Sequence, residues 1–408
     1  MRQPWAILFK PFGLTVSFSW VWIALALLAV GPVLSAEKTA ADKDAPAPVK
    51  KTQPAVDGPK LQAFLRLHGE MNEVLAKLRA LQITYQTADQ EKQAEIQSQW
   101  KDEIARGEKI EPKLIAAAEA AYAEAPNTSK PITEFLLVLL QEKVQNDEYE
   151  LAAEIGKLLM ENHCPSKSLP NLAGIAAFAV SDFDAAEKYF AEAKRQDYYK
   201  TAAKDNKLAD RGFGFMQQVP YYKGIWPKEA TLRDHETEAR GLPRVLLKTT
   251  KGDIVLELFE NQAPNTVANF ISLVQSGFYK DTPFHRVLQG FMAQGGDPSG
   301  TGGGGPGYTI PCECYLSNHR NHFRGSLSMA HTERRDSGGS QFFLTFVPTA
   351  HLDGFHTVFG RVIEGMDVLA KLQRREPSDR DALRADKILE AKVLWKRNHA
   401  YVPQKIMN

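Results

Sequence analysis

One basic side chain stands within an apolar stretch of the segment FHRVLQGFMAQGGDPSG, residues 284–300. Arg286 has Phe284 and Val287 as near neighbours, and no acidic residue follows it before Asp297. A guanidinium is a planar fork of N–H donors that stays charged at neutral pH. The ordinary interpretation is an arginine on the solvent face of a half-buried strand. The alternative is a donor that acts on a bound substrate, and the segment alone leaves both open.

A second group of chemically capable side chains lies in the segment CECYLSNHRNH, which carries Cys312, Cys314, His319 and His322. Two thiolates and two imidazoles are zinc ligands, but this spacing is tighter than that of structural zinc sites. Cys312 and Cys314 are two residues apart and poorly placed to bridge each other on a strand. With Cys164 the number of cysteines is odd. We therefore expect no bound metal, no cofactor and no framework disulfide.

The composition is that of a folded protein with several domains. The chain has 408 residues, of which 43% are hydrophobic and 10% aromatic, enough for two or three cores. Fifty basic and 49 acidic residues leave a formal charge of +1. Such a balance provides no overall field for nucleic acid or an anionic membrane surface, so we expect no nucleic-acid partner.

Residues 1–36 have the composition of an export signal. Two basic residues precede an uncharged run from residue 12 to residue 34, and the small residues Ser35 and Ala36 follow. The run of 23 residues is long enough to span a bilayer as a signal anchor. However, Gly31–Pro32 breaks a helix just before the small residues, which favours cleavage. We expect an exported protein, periplasmic or otherwise extracytoplasmic, with cleavage favoured over anchoring.

A linker and a helical region follow the signal. Residues 37–60 contain four prolines and no aromatic residue, so they bury too little apolar surface to fold. Over residues 61–200, apolar residues recur at steps of three and four, which predicts helices. The segments DEYELAAEIGKLL and SDFDAAEKYFAEA align at an offset of 34 residues, the tetratricopeptide period. Residues 131–200 are therefore predicted as about two tetratricopeptide-like hairpins, with an ordinary antiparallel helical bundle as the alternative. In either case we expect the helical half to hold a partner or to present the other half of the chain.

The pattern changes to strands in the C-terminal part. Residues 201–242 are predicted to be a connector that ends in a solvated, highly charged helix. After Pro243 apolar residues alternate, and short strand-like runs recur between glycine-rich turns. One helix is predicted for APNTVANFISLVQSG, with Val267, Phe270 and Val274 on its apolar side. This pattern predicts an all-β barrel or sandwich with a couple of helices.

Four motifs in the C-terminal part resemble one known family. In order, they are FHRVLQGFMAQGGD, GSLSMA, SQFFLT and HLDGFHTVFGRVIEGMDVL. Together they resemble the cyclophilin family of peptidyl-prolyl cis-trans isomerases, over roughly residues 244–396. The resemblance implies a closed eight-stranded β-barrel with two capping helices over residues 243–396, followed by a tail at residues 397–408. The fold class is thus a helical N-terminal domain joined to a β-barrel domain.

The resemblance also implies the residues of the active site. Arg286 corresponds to the catalytic arginine of the family. The proline pocket and the polar contacts to the substrate fall on Phe291, Met292, Gln294, Ala330, His331, Gln341, Phe343, His351, Leu352 and His356. We expect His356 to form a pocket wall rather than a base, and His285 to point to the opposite face of its strand, into the barrel wall.

Two positions of the site depart from the family pattern. His331 stands where the family usually has asparagine, and His351 stands where many members have tryptophan. The first position mainly offers its backbone to the substrate, so we expect little effect. The second lies at the rim where cyclosporin binds in sensitive members, so we expect weak inhibition by cyclosporin.

The resemblance implies an isomerase that acts on proline-containing polypeptides. Together with the export signal, this predicts a protein that assists the folding of exported proteins, with its helical region free to bind a partner. The alternative is a catalytically weak module that grips proline-containing segments and serves as a scaffold. Turnover of a proline peptide separates the two.

Overall fold

The computed structural model of the protein describes most of the chain after residue 57. The described residues are 58–239, 241–376, 378 and 384–407. The predicted signal segment at residues 1–36 and nearly all of the predicted linker lie outside them. None of the described helices is both long and apolar enough to cross a membrane.

The described chain divides into two compact units. The first comprises residues 58–142 and 157–165, and the second comprises residues 143–156 and everything from residue 166 onward. The second unit thus contains one turn of the helical region and its helices from residue 166 onward, as well as all the strands of the described residues. The predicted domain boundaries remain predictions.

Two long helices build most of the first unit. Helix α1 spans Pro59–Thr87, and its proline stands at the start, where a missing N–H costs nothing. Helix α2 spans Gln90–Glu124, and the Asp89 side chain caps it by accepting the Lys92 N–H at 3.0 Å. The two helices pack along each other, and the buried Phe64 of the first contacts Phe135 at 5.5 Å between ring centroids.

The helical prediction for residues 61–200 is confirmed. The further helices are α3 (Lys130–Gln145), α4 (Tyr149–Glu161), α5 (Leu169–Ala179), α6 (Phe183–Arg195), α7 (Tyr198–Thr201) and α8 (Lys207–Ala239). Helices α5 and α6 approach closely at Gly174, where a Cβ would lie 2.5 Å from the Phe190 ring. The tetratricopeptide-like assignment itself remains a prediction.

Helix α8 differs from the predicted solvated element. It is a single helix of 33 residues that packs on α5 and α6, with Phe215 stacked on Phe178 at 4.5 Å between ring centroids. Its charged C-terminal half is not simply solvated, because Glu229 is buried and binds Arg320. The expectation of a wet face is wrong here because the partner arginine comes from a segment 91 residues later.

The C-terminal part is rich in β-structure, as predicted. Its strands are β1 (Arg244–Thr249), β2 (Gly252–Leu258), β3 (Thr282–Pro283), β4 (Arg286–Leu288), β5 (Met292–Gly295), β6 (Tyr308–Thr309), β7 (Ser326–Met329), β8 (Phe342–Thr345), β9 (Val358–Glu364), β10 (Lys387–Trp395) and β11 (Ile406–Met407). Nine of them form one antiparallel sheet in the order β3-β10-β1-β2-β9-β7-β8-β5-β4, and β6 pairs with β11. Among the described residues the sheet has two edge strands, β3 and β4, so closure into an eight-stranded barrel remains a prediction.

Two helices accompany the sheet, α9 (Pro264–Gln275) and α10 (Met366–Ala370). Helix α9 buries Val267, Phe270 and Val274, as its apolar pattern predicts. Phe270 contacts Phe342 of β8 at 5.5 Å between ring centroids. Because successive strand residues point to opposite faces, Phe342 enters this core and Phe343 faces the other side.

Candidate active site

A row of paired residues crosses four neighbouring strands and places Arg286. Arg286 of β4 pairs with Gln294 of β5, which pairs with Phe343 of β8, which in turn pairs with Ser328 of β7. Directly paired residues of an antiparallel sheet present their side chains on the same face. Arg286 therefore lies on the same face as Phe343, opposite the core. Gln294 also donates its side-chain amide to Gln341 Oε1 at 3.0 Å.

Apolar side chains surround this row. Met292 and Phe343 are buried, whereas Phe291 and Leu352 are partly exposed. The Phe291 ring lies 5.6 Å from the ring of His351. This combination of a buried floor and exposed walls is what an apolar ring of a substrate requires.

Two histidines close one side of the pocket. The rings of His331 and His356 stack at 4.1 Å between centroids, and His356 meets Phe343 edge-on at 5.4 Å. Burial lowers the pKa of His356 to about 4, and the neighbouring His331 adds to this effect. His356 is thus a neutral ring near pH 7, and its Nδ1 lies 3.0 Å from the Met329 carbonyl oxygen. This environment suits a pocket wall.

Arg286 has a carboxylate partner that its own segment does not reveal. Arg286 Nε donates to Glu376 Oε1 at 3.1 Å, and the two side chains are 36% and 43% exposed. The segment around Arg286 does not show this carboxylate because it comes from 90 residues further along the chain. The contact uses Nε, and the guanidinium remains accessible to solvent.

His285, the neighbour of Arg286, points the other way. Its side chain is 2% exposed, as the alternation of strand side chains predicts. Burial lowers the pKa of His285, so the ring is neutral near pH 7. It belongs to the interior and not to the substrate face.

A polar cavity lies beside the apolar pocket. It has a volume of about 430 Å³, and Gln294, Ala330, His331 and Gln341 line it together with the glycine-rich residues 302–307. Gln341 donates to the carbonyl oxygens of Gly302 and Gly304, both at 2.9 Å, which holds this loop against β8. Four of the ten predicted substrate residues thus line this cavity. Ring contacts join Phe343, His356 and His331 on one side of the pocket and Phe291 and His351 on another.

Sequence comparison identifies the family to which this arrangement belongs. The family model described as cyclophilin type peptidyl-prolyl cis-trans isomerase/CLD matches residues 244–393. The chain belongs to the cyclophilin family.

Relatives of this cyclophilin are named for the same reaction. A peptidyl-prolyl cis-trans isomerase of Helicobacter pylori is 56% identical over 130 residues, which are 31% of this chain and 78% of that protein. One of Synechococcus elongatus is 48% identical over 155 residues, 38% of this chain and 97% of that protein. Peptidyl-prolyl cis-trans isomerase B of Bacillus subtilis is 54% identical over 114 residues, 28% of this chain and 78% of that protein. This cyclophilin is a peptidyl-prolyl cis-trans isomerase.

The segment CECYLSNHRNH has structural partners in the cyclophilin domain. Glu313 accepts the N–H groups of Asn265 and Thr266 at the start of α9, at 3.0 and 2.8 Å. His322 is buried between Asp353 and Ser328, with its ring parallel to Phe343. The three cysteines of the chain are free and buried. Among the described residues, no three His, Cys, Asp or Glu side chains are grouped to hold a metal.

Two residues that support the site were not among those predicted from the sequence. Glu376 binds Arg286, and Asp353 binds His322 through the ring and the backbone N–H. Asp353 lies within the recognised motif HLDGFHTVFG, so its position offered a signal. Glu376 lies in a charged stretch with no pattern that points to the site.

Proposed function

We propose that Arg286 is the catalytic residue of this isomerase and that the substrate proline ring binds in the adjacent apolar pocket. The observation that carries the proposal is the row from Arg286 through Gln294 to Phe343 on one face of the sheet. It sets a solvent-accessible guanidinium beside a pocket built from Phe291, Met292, Phe343, Leu352 and His356. The apolar pocket matches the proline ring of such a substrate, and the guanidinium matches its amide.

The chemistry follows from the X-Pro bond. Its rotation crosses a barrier of roughly 18–20 kcal/mol, because amide resonance is lost at the twisted midpoint. At that point the proline nitrogen becomes pyramidal and regains a lone pair. A guanidinium that donates to this nitrogen binds the twisted state better than either planar state, which is the condition for catalysis. No covalent intermediate is needed.

Substitution of Arg286 tests the assignment. Arg286→Ala should lower kcat for a proline peptide by about 100-fold or more, with KM and the melting temperature nearly unchanged because the pocket remains. Arg286→Lys should recover little, since an ammonium lacks the planar fork. Arg334→Ala, which removes an exposed arginine of a loop, is the matched control. An Arg286→Ala variant with wild-type turnover refutes the assignment, and a wild-type chain that binds proline peptides without turnover supports a binding module.

We further propose that the substrates are unfolded or partly folded exported proteins and that the helical region binds a protein partner. Residues 1–36 support export through their composition, and the helical region supports a partner-binding role because its sequence carries no catalytic motif. Prolyl isomerisation limits the refolding of many proteins to tens of seconds. The wild-type chain should therefore accelerate the slow refolding phase of an exported protein, and Arg286→Ala should not.

A further inference from the structure

A buried carboxylate in the turn between α3 and α4 contacts the catalytic hairpin of the same compact unit. The Asp147 side chain is fully buried, and its backbone has φ +64°, a left-handed conformation. Its Oδ1 accepts the Gly290 N–H at 2.8 Å and the Tyr149 hydroxyl at 3.0 Å. Its Oδ2 accepts Nη2 of Arg374 at 2.7 Å. Each carboxylate oxygen is therefore bound, and no part of this group is available to solvent.

The first of these contacts fixes the turn of the β4–β5 hairpin. Gly290 lies between Arg286 on β4 and Met292 on β5, directly before Phe291 of the proline pocket. It also has a positive φ of 67°, and a Cβ there would lie 2.5 Å from the Arg211 guanidinium carbon. The hairpin turn is thus held against α8 as well as against Asp147.

The second contact fixes the segment that binds Arg286. Arg374 also donates to the Asn146 carbonyl at 2.9 Å, so the same turn holds its guanidinium twice. The next residue, Arg375, exchanges backbone hydrogen bonds with Val287 at 2.8 and 2.9 Å. The one after that, Glu376, binds Arg286. The anchor at Arg374 is thus two residues from the carboxylate that orients the guanidinium.

We propose that Asp147 is a positioning residue for the isomerase reaction. It holds both segments that flank Arg286, the hairpin turn at Gly290 and the strand-like segment at Arg374, and through them it sets the direction of the guanidinium. The inference rests on the proposed catalytic role of Arg286. The inference gives a function to the turn at residues 146–148 of the helical region, which belongs to the same compact unit as the isomerase site. This turn stabilises the orientation of Arg286.

Two substitutions at Asp147 test this without distorting the turn. Asparagine and glycine both tolerate a positive φ, so neither strains the backbone. Asp147→Asn keeps an oxygen for the Gly290 N–H and removes the charge that holds Arg374, whereas Asp147→Gly removes both contacts. In the full chain we expect kcat to fall about threefold for Asn and about tenfold or more for Gly, with KM within twofold of wild type, because small displacements of a catalytic group slow the chemical step.

A spectroscopic readout and a matched control make the test specific. The Nε–H resonance of Arg286 should shift in both Asp147 variants, since its contact with Glu376 changes. Glu187→Gln is the control, because Glu187 forms an ion pair within the same helical region with Lys223 at 2.6 Å. Its kcat should equal that of wild type.

The outcomes separate this inference from the assignment of Arg286. Wild-type kcat in Asp147→Gly, or an equal loss in Glu187→Gln, overturns the positioning role while Arg286→Ala remains inactive. A rise in KM at constant kcat also overturns it, because that result reports substrate binding alone. An active Arg286→Ala variant refutes the catalytic assignment itself, whatever the Asp147 variants do.

Discussion

At the scale of single residues, the ion pair of Arg286 and Glu376 is suited to orientation. An exposed pair of this kind contributes about 0–1 kcal/mol, so it does not compete strongly with a substrate for the guanidinium. The contact with Glu376 uses Nε and neither of the two Nη groups. The Arg286 guanidinium is thus oriented by one contact and remains exposed to solvent, so it can donate to a substrate in its twisted state.

The rim of the pocket provides the first prediction at this scale. His351 is exposed, and its ring is tilted against that of Phe291 with the centroids 5.6 Å apart. An indole at this position would cover more apolar surface. Cyclosporin should therefore inhibit the wild-type chain weakly, and His351→Trp should lower its inhibition constant. Inhibition titrations of the peptide turnover measure this, and an unchanged constant shows that the rim does not limit affinity.

The half-buried imidazole of His356 provides a prediction on pH. Its pKa is lowered to about 4 from an ordinary value of 6.5, so between these pH values the unfolded chain binds a proton that the folded chain does not. The stability contributed by the neutral ring is complete above pH 6.5 and falls as the pH drops toward 4.

Urea unfolding at pH 7.5 and pH 5 measures this effect. The wild-type chain should lose stability at pH 5, and His356→Gln should lose less. Burial also lowers the pKa values of His285 and His322, so the variant should keep part of the pH dependence. An identical loss in both proteins contradicts the role of His356.

The residues of the site were predictable to different degrees, for a physical reason. Arg286, Gln294 and Phe343 lie in motifs that resemble those of a known family, and the resemblance implies their place in the site. The partners that hold Arg286 are side chains brought close only by folding, and a single sequence carries no pattern for such contacts. Glu376 and Asp147 could not be inferred for this reason.

At the scale of elements, α8 shows how a charged segment becomes part of a folded interface. Glu229 accepts Nη2 and Nε of Arg320 at 2.7 and 2.9 Å, and Glu236 binds the same arginine. Arg320 also lies over the Phe259 ring at 3.9 Å. The nearby arginines hold the pKa of Glu229 below its usual range although burial acts in the opposite direction. The charge pattern predicted the helix correctly but not the burial of Glu229. The arginine that compensates its charge, Arg320, lies 91 residues away in the chain.

This buried pair leads to a prediction on stability. Glu229→Gln leaves Arg320 with Glu236 as its remaining carboxylate and should lower the free energy of unfolding by about 2–3 kcal/mol. Turnover well below the melting temperature should stay unchanged. Glu187→Gln, which removes an exposed partner of Lys223, should cost less than about 0.5 kcal/mol. Urea unfolding measures both free energies of unfolding. Equal losses in the two variants would show that the buried ion pair contributes no more to stability than the exposed one.

At the scale of the whole molecule, the compact unit that contains the isomerase is larger than the family match. The match covers residues 244–393, whereas the unit also includes residues 143–156 and 166–243. The motifs made the isomerase part predictable, since four of them in one order and spacing resemble a single family. The boundary of the compact unit was not predictable, because it depends on contacts such as that of Asp147 with Arg374, which join segments 227 residues apart.

The N-terminal segment provides the last prediction. Helix breakers at Gly31–Pro32 end the apolar run, and Ser35 and Ala36 supply the small residues that a signal peptidase requires. The mature chain should therefore begin near Glu37 when the full sequence is expressed with an export pathway. N-terminal sequencing and the intact mass of the purified protein measure this. Replacing Ala36 by Trp should block processing and leave a longer product, because the enzyme accepts only small side chains there. A wild-type product that stays membrane-bound and keeps residues 12–34 refutes cleavage and identifies the segment as an anchor.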